Sequence, residues 1–318
     1  MKTVTRVAFI LGLAAMLALV VHNDIQSIIS LLAHAGWLLL CLVPLHVVPL
    51  GLDVMGWKAL IPQRIEVAPL FVIAAVREAI NRLLPVANVG GEVVGARLLV
   101  RRGVSYPAAV SSILVETLLC IVSQVLFLVF GLACLLHATG HFEMTAIVAT
   151  AVVGAGVSVS ILFWVLRHGL FFRAVHRLAG QTLGANARST LAAIDSTTRQ
   201  LTSAHERLIK SIAWQVSGLV SGSAETWLVL HWLGSPVNMA GAIALESFTL
   251  AARSAFFIVP AGVGVQEAGL AGVGSLLGLG SDVAIALSLA KRAREILFGL
   301  PALAAWQSQW AGRISAGI

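Results

Sequence analysis

Charge is scarce in this chain. Only 11% of its 318 residues are Asp, Glu, Lys or Arg, whereas 58% are hydrophobic. A soluble domain carries about 25% charged residues, so this sequence cannot cover a water-facing surface. The deficit excludes a soluble enzyme and a disordered protein. Cysteine is equally sparse. Cys41, Cys120 and Cys134 lie in separate apolar runs and form no CxxC pair, so they read as packing residues and exclude a disulfide scaffold. The HExxH and GxSxG patterns and any Cys/His ligand cluster are missing too, so neither catalysis nor a metal or other cofactor is expected. Two-residue alternation is absent from the apolar runs, which excludes a membrane β-barrel. What remains is an all-α, polytopic membrane protein.

The little charge there is leans basic, at a net +7 with seventeen Arg against four Lys. In a membrane protein this reads as cytoplasmic loops beside an anionic leaflet rather than as a nucleic-acid surface. Arginine is the better residue for bidentate phosphate contact and for buried pairing.

About six full spans are expected. The run 7–21 follows Lys2 and Arg6 and reads as an uncleaved anchor helix, with a signal peptide as the alternative. The others fall near 36–57, 107–136, 144–166, 211–233 and 283–305, each long enough for a hydrocarbon core of ~30 Å. Two further apolar stretches, 65–102 and 240–278, are broken by Pro85-Val86-Ala87-Asn88-Val89-Gly90-Gly91-Glu92 and by Pro260-Ala261-Gly262-Val263-Gly264-Val265-Gln266-Glu267. Each reads as a re-entrant hairpin of two half-helices, because irregular backbone at membrane depth needs protein or a wet cavity around it. An ordinary kinked span, or two closely spaced spans, is the alternative.

The positive-inside rule orients these segments. With both termini cytoplasmic, fourteen bases fall in inside loops, and the outside segments 22–35, 137–143, 234–239 and 279–282 hold none. The Arg-rich stretch 167–210 is then cytoplasmic, either as amphipathic helices on the inner leaflet or as a domain-binding loop. The first hairpin enters from the cytoplasm and the second from outside.

The two breaks lie 175 residues apart, and at that offset Gly103 meets Gly278, Ala109 meets Ala284, and Glu116 meets Lys291. Only seven of thirty-seven positions are identical over 85–121. The opposite orientations of the copies add independent weight. One transmembrane domain, 1–318, is therefore expected. It comprises N-terminal spans (1–63), repeat A (64–136), spans four and five (137–239) and repeat B (240–306). Inverted repeats with broken helices are a transporter architecture with a site near the midplane.

The N-terminus of a half-helix presents free N–H groups and suits an anion. Pro85, Asn88, Gly90, Gly91, Pro260, Gly262, Gly264 and Gln266 shape these breaks. Glu92 and Glu267 sit in the first turns, either as caps or as groups that bind a cation or proton or pair with a mobile Arg. Seven bases lie within membrane segments or at their edges: Arg77, Arg82, Arg97, Arg253, Lys291, Arg292 and Arg294. Eight acids accompany them: Asp53, Glu78, Glu92, Glu116, Glu225, Glu246, Glu267 and Glu295. A central charge costs ~2.5–3.5 kcal/mol even on the lenient insertion scale, so these groups pair or line a hydrated cavity. Arg292 and Glu295, three apart, can pair on one helix face. A purely structural ion network and a head-group pathway both fit. His46 and His231 read as satisfied packing or interfacial residues.

The run Pro260 to Ala268, followed by Ala286-Leu287-Ser288-Leu289-Ala290-Lys291-Arg292-Ala293-Arg294-Glu295, resembles the flippase-like integral membrane family, also called the lysylphosphatidylglycerol synthase transmembrane-region family. Leu84 to Glu92 resembles that family's other signature. The Val265-Gln266-Glu267 variant and the terminal Pro301-Ala302-Leu303-Ala304-Ala305-Trp306-Gln307 are similar to an HpnL-like branch associated with hopanoid biosynthesis. The resemblance implies a lipid flippase in a bacterial inner membrane, with a hopanoid or a phospholipid as cargo. Lipid-biosynthesis proteins are the implied partners. A carrier rather than an enzyme is therefore expected; an intramembrane enzyme or a scaffold of lipid biosynthesis is the alternative. Many members have an acid–Arg pair where this chain has Glu116-Thr117.

Overall fold

The computed structural model describes residues 25–84, 90–139, 145–170, 173, 177, 184–256 and 264–314, and every regular element among them is helical. The expected anchor at 7–21 lies outside the described residues, as do Pro85, Asn88, Pro260 and Gly262.

The chain enters as a helical rod over Gln26–Leu60. It consists of α1 (Ile25–Ala35), a 3₁₀ turn (Gly36–Cys41), α2 (Leu42–Leu45) and α3 (Val47–Leu60). The expected outside segment 22–35 is helical over residues 25–35. Ile28 and Ala35 give α1 an apolar face that buries against the last helix. Ser27 Oγ donates to Asp282 Oδ2 at 2.8 Å, so the expected outside segments 22–35 and 279–282 meet at one end of the molecule.

Each broken segment forms two helices. The first gives α4 (Val67–Leu83, 17 residues) and α5 (Gly90–Arg101, 12 residues), followed by α6 (Tyr106–Thr139, 34 residues). The chain then runs through α7 (Thr145–Arg167), α8 (Ala185–Ser203) and α9 (His205–Trp232). The second break gives α10 (Met239–Ala255, 17 residues) and α11 (Val265–Leu276, 12 residues), followed by α12 (Ser281–Ile314, 34 residues). At 1.5 Å per residue a 12-residue helix is about 18 Å long, short of the hydrocarbon core.

The turns after α5 and α11 are closed alike. Gly103 (φ 88°) and Gly278 (φ 76°) adopt left-handed backbone, which glycine takes without a Cβ clash. Val104 N–H donates to Leu99 O at 3.2 Å, and Leu279 N–H donates to Gly274 O at 2.8 Å, the same bond 175 positions on. These bonds use carbonyls that the helix end leaves without intrahelical partners.

Packing between the two halves is reciprocal. Helix α6 lies against α10, α12 lies against α4, and α3 and α9 pack on each other. One apolar cluster surrounds the first hairpin, with Trp57, Leu70, Leu99 and Ala109 at its centre. Another surrounds the second, with Leu230, Leu245, Leu270 and Ala284. Outward, α7 leaves Val153, Val157, Ile161 and Trp164 more than half exposed, an apolar face suited to lipid. Among the described residues two helices, Gln26–Leu60 and Tyr106–Ala138, combine the length and apolarity of a span. Helices α9 and α12 are also long, at 28 and 34 residues, but carry internal charge. Helix α8, in the Arg-rich stretch, packs on α6 and α7 through Thr198 and Leu201, and its Ile194 carbonyl accepts from Ser111 Oγ at 3.0 Å.

Candidate functional site

The intramembrane charges turn inward and bond to one another in three groups. The first forms at the base of the first hairpin. Arg77 on α4 donates to Glu92 on α5 and, at 2.8 Å, to Glu116 on α6, while its guanidinium lies 4.2 Å from the Trp57 ring centroid. Asn81 Oδ1 accepts from Gly91 N–H at 2.9 Å, and its amide nitrogen donates to Glu92 at 3.3 Å. Asn81 therefore caps α5, a role the sequence pattern did not assign to it. A Cβ at Gly91 would fall 2.4 Å from the Arg77 carbonyl oxygen, and one at Gly95 2.5 Å from the Arg77 side chain. Bare backbone at both positions lets α5 approach Arg77.

Glu267, fully buried, centres the second group. It accepts from Gly264 N–H at 2.7 Å, Ser288 Oγ at 2.8 Å and Arg292 Nε at 2.8 Å. Two roles expected of this acid are met at once: it caps α11 and it pairs with an arginine. Gln266 Nε2 donates to Ser288 Oγ at 2.8 Å and Gln266 Oε1 accepts from Arg253 at 2.6 Å. Arg253 also donates to Glu295 at 3.3 Å, and Arg82 on α4 lies 3.8 Å from the same carboxylate. Glu295 thus ties the first hairpin to the second. The expected same-face pair of Arg292 with Glu295 is replaced by these longer-range partners.

The third group joins the rod to the last helix. His46 Nε2 lies 3.0 Å from Glu78, and Nδ1 lies 3.1 Å from Glu225 and also meets Arg294. Nδ1 either donates to Glu225 or accepts from Arg294, so the tautomer of His46 selects its partner. Arg294 pairs with Glu225 at 3.2 Å. Lys291 pairs with Glu246, which also accepts from Thr226 at 2.6 Å.

Of the expected site residues, Arg77, Arg82, Gly91, Glu92, Glu116, Arg253, Gly264, Gln266, Glu267, Lys291, Arg292, Arg294 and Glu295 enter these groups. Gly90 opens α5. Arg97 does not join them: it is exposed on α5 and forms no ion pair among the described residues. Its position on the outer face of α5, opposite Gly91 and Gly95, explains the difference. Besides Asn81, Thr226 and Ser288, four ionisable participants were outside the expected site: His46, Glu78, Glu225 and Glu246. All four are polar groups within apolar runs, which is the signal available to find them. Position 117 is also resolved. The guanidinium that serves Glu267 comes from Arg292 on the following span. The one that serves Glu92 comes from Arg77 on the preceding half-helix, and Thr117 is exposed.

Buried ion groups within apolar helices define a membrane protein whose polar chemistry is internal. The chain belongs to the lysylphosphatidylglycerol synthase TM region family, whose model matches residues 4–302. Membership gives it a membrane location and a membrane-lipid-related function. Comparison with curated proteins and with solved structures yields no match.

Proposed function

We propose that the protein is a carrier that moves a polar or anionic lipid, a hopanoid or a phospholipid, across a bacterial inner membrane. The head group crosses between two hairpins related as an inverted repeat, and both termini face the cytoplasm. The observation that carries this reading is the chain of buried charge from Arg82 through Glu295 to Arg253 and Gln266, linking the two hairpins. Equal helix lengths in the two halves, the shared glycine turns and the reciprocal packing of α6 on α10 and α12 on α4 support the repeat.

The chemistry follows from partner exchange. A phosphate and a carboxylate present similar oxygens to a guanidinium. A head group that takes Arg292 or Arg253 from its internal acid replaces one charge-assisted bond by another. The released acid falls back on its remaining donors, Glu295 on Arg82 and Glu267 on Gly264 N–H and Ser288 Oγ or on a proton it takes up, because an unpaired ion in the low-dielectric interior costs several kcal/mol. The lipid tails stay in the bilayer. The HpnL-like signature favours a hopanoid, and the arginine-rich network favours an anionic head group. Liposomes with purified protein and a fluorescently labelled phosphatidylglycerol test this reading. Protein-dependent access of the label to an impermeant quencher is expected, and access no faster than in protein-free liposomes opposes it.

A further inference from the structure

A second polar–apolar feature lies apart from the buried ion groups. A groove of about 490 Å³ opens where the start of α4, the end of α5 and the end of α12 meet. Pro69, Val72, Ile73, Val76 and Leu98 make its wall, and Arg101, Arg102 and Trp306 complete its lining. The volume falls within the ~300–1,000 Å³ typical of small-molecule sites. No Asp or Glu lines it among the described residues. Both arginines are exposed, and Val72 is 43% exposed. The Trp306 indole N–H is buried and has no hydrogen-bond partner among the described residues. The end of α5 is already closed by its own backbone, through Arg102 N–H to Leu99 O at 2.9 Å and Val104 N–H to Leu99 O at 3.2 Å. Arg101 lies in the last turn of α5 and Arg102 directly after it, where bases also face the negative end of the helix.

We propose that this groove holds one membrane phospholipid with an anionic head group. Its phosphate sits against Arg101 and Arg102, a head-group oxygen accepts the Trp306 N–H, and the upper part of one acyl chain lies along Val72, Ile73 and Val76. Arginine at an interface matches a phosphate diester by charge and by fork geometry, and tryptophan belongs at the same depth. Apolar side chains lining the same groove select an amphiphile over a free ion. This site rests on the chain lying in a bilayer and not on its moving lipid, so its failure and the failure of the carrier reading are separate results.

Native mass spectrometry of the detergent-purified full chain, titrated with phosphatidylglycerol or with phosphatidylcholine, tests it. One phosphatidylglycerol is expected to bind ahead of phosphatidylcholine, and excess inorganic phosphate is expected not to displace it. Binding should fall about tenfold or more in the Arg101→Gln/Arg102→Gln double variant, which loses two charge-assisted contacts. It should fall similarly in Val72→Trp, which fills the apolar wall from an exposed position and decides the matter if the arginine variant does not fold. Undiminished phosphatidylglycerol binding in Val72→Trp, equal binding of the two lipids, or displacement by phosphate overturns the proposal.

Discussion

Glu267 shows how this protein keeps a carboxylate deep among apolar helices. It is satisfied by a backbone N–H from the turn before α11 and by a hydroxyl and a guanidinium one turn apart on α12. Removing the charge alone takes from Arg292 the carboxylate it pairs with. Glu267→Gln should therefore cost about 3–5 kcal/mol of stability, the usual penalty for breaking a buried pair. The double variant Glu267→Gln/Arg292→Gln should recover much of that loss, because no lone charge remains. Denaturant unfolding in detergent micelles reads both; a double variant less stable than the single one would contradict the pairing. The first hairpin offers a steric counterpart. Gly95→Ala places a methyl 2.5 Å from the Arg77 side chain and Gly91→Ala places one 2.4 Å from backbone oxygen. Backbone cannot yield as a flexible side chain can, so Gly91→Ala should be the more damaging, by about 1–3 kcal/mol or more. Equal unfolding midpoints for the two variants would argue against that geometry.

At the scale of elements, the two half-hairpins carry matching turns. Gly103→Ala and Gly278→Ala should each cost about 1–2 kcal/mol, the penalty of left-handed backbone with a Cβ. The two costs should be similar, because a Cβ at either position would meet no other atom within 4 Å. Unfolding transitions of the two variants check this. The positions of the breaks, the turn glycines and the long helices after them were readable along the sequence, because proline, glycine and apolar length are local signals. Helix α1 was not readable, since its Ile28 and Ala35 are buried only by tertiary contact, with α12 and α9. The pairing of the charges was not readable either. His46 finds partners 32, 179 and 248 positions away, and no local spacing encodes such choices. Arg292 and Glu295 satisfied the i,i+3 rule, yet that weak preference of about 0.2–0.5 kcal/mol gives way to buried acids and bases on neighbouring helices.

For the whole molecule, orientation and movement are the two quantities to measure. In a variant lacking the native cysteines, Ser235→Cys between α9 and α10 should react with an impermeant maleimide added outside sealed, right-side-out vesicles. Ser203→Cys at the end of α8 should react only after the vesicles are opened. The reverse pattern would invert the topology. Orientation also decides the sense in which the hairpins face each other, and hence whether the Arg82–Glu295–Arg253 link bridges an inside and an outside half. The most direct test compares transbilayer movement of labelled phosphatidylglycerol in liposomes holding the wild type or the Glu267→Gln/Arg292→Gln variant at equal protein content, with retained fold verified by unfolding. Wild-type protein should move the lipid and the neutralised variant should lose most of that movement; equal rates would contradict passage of the head group along the buried charges.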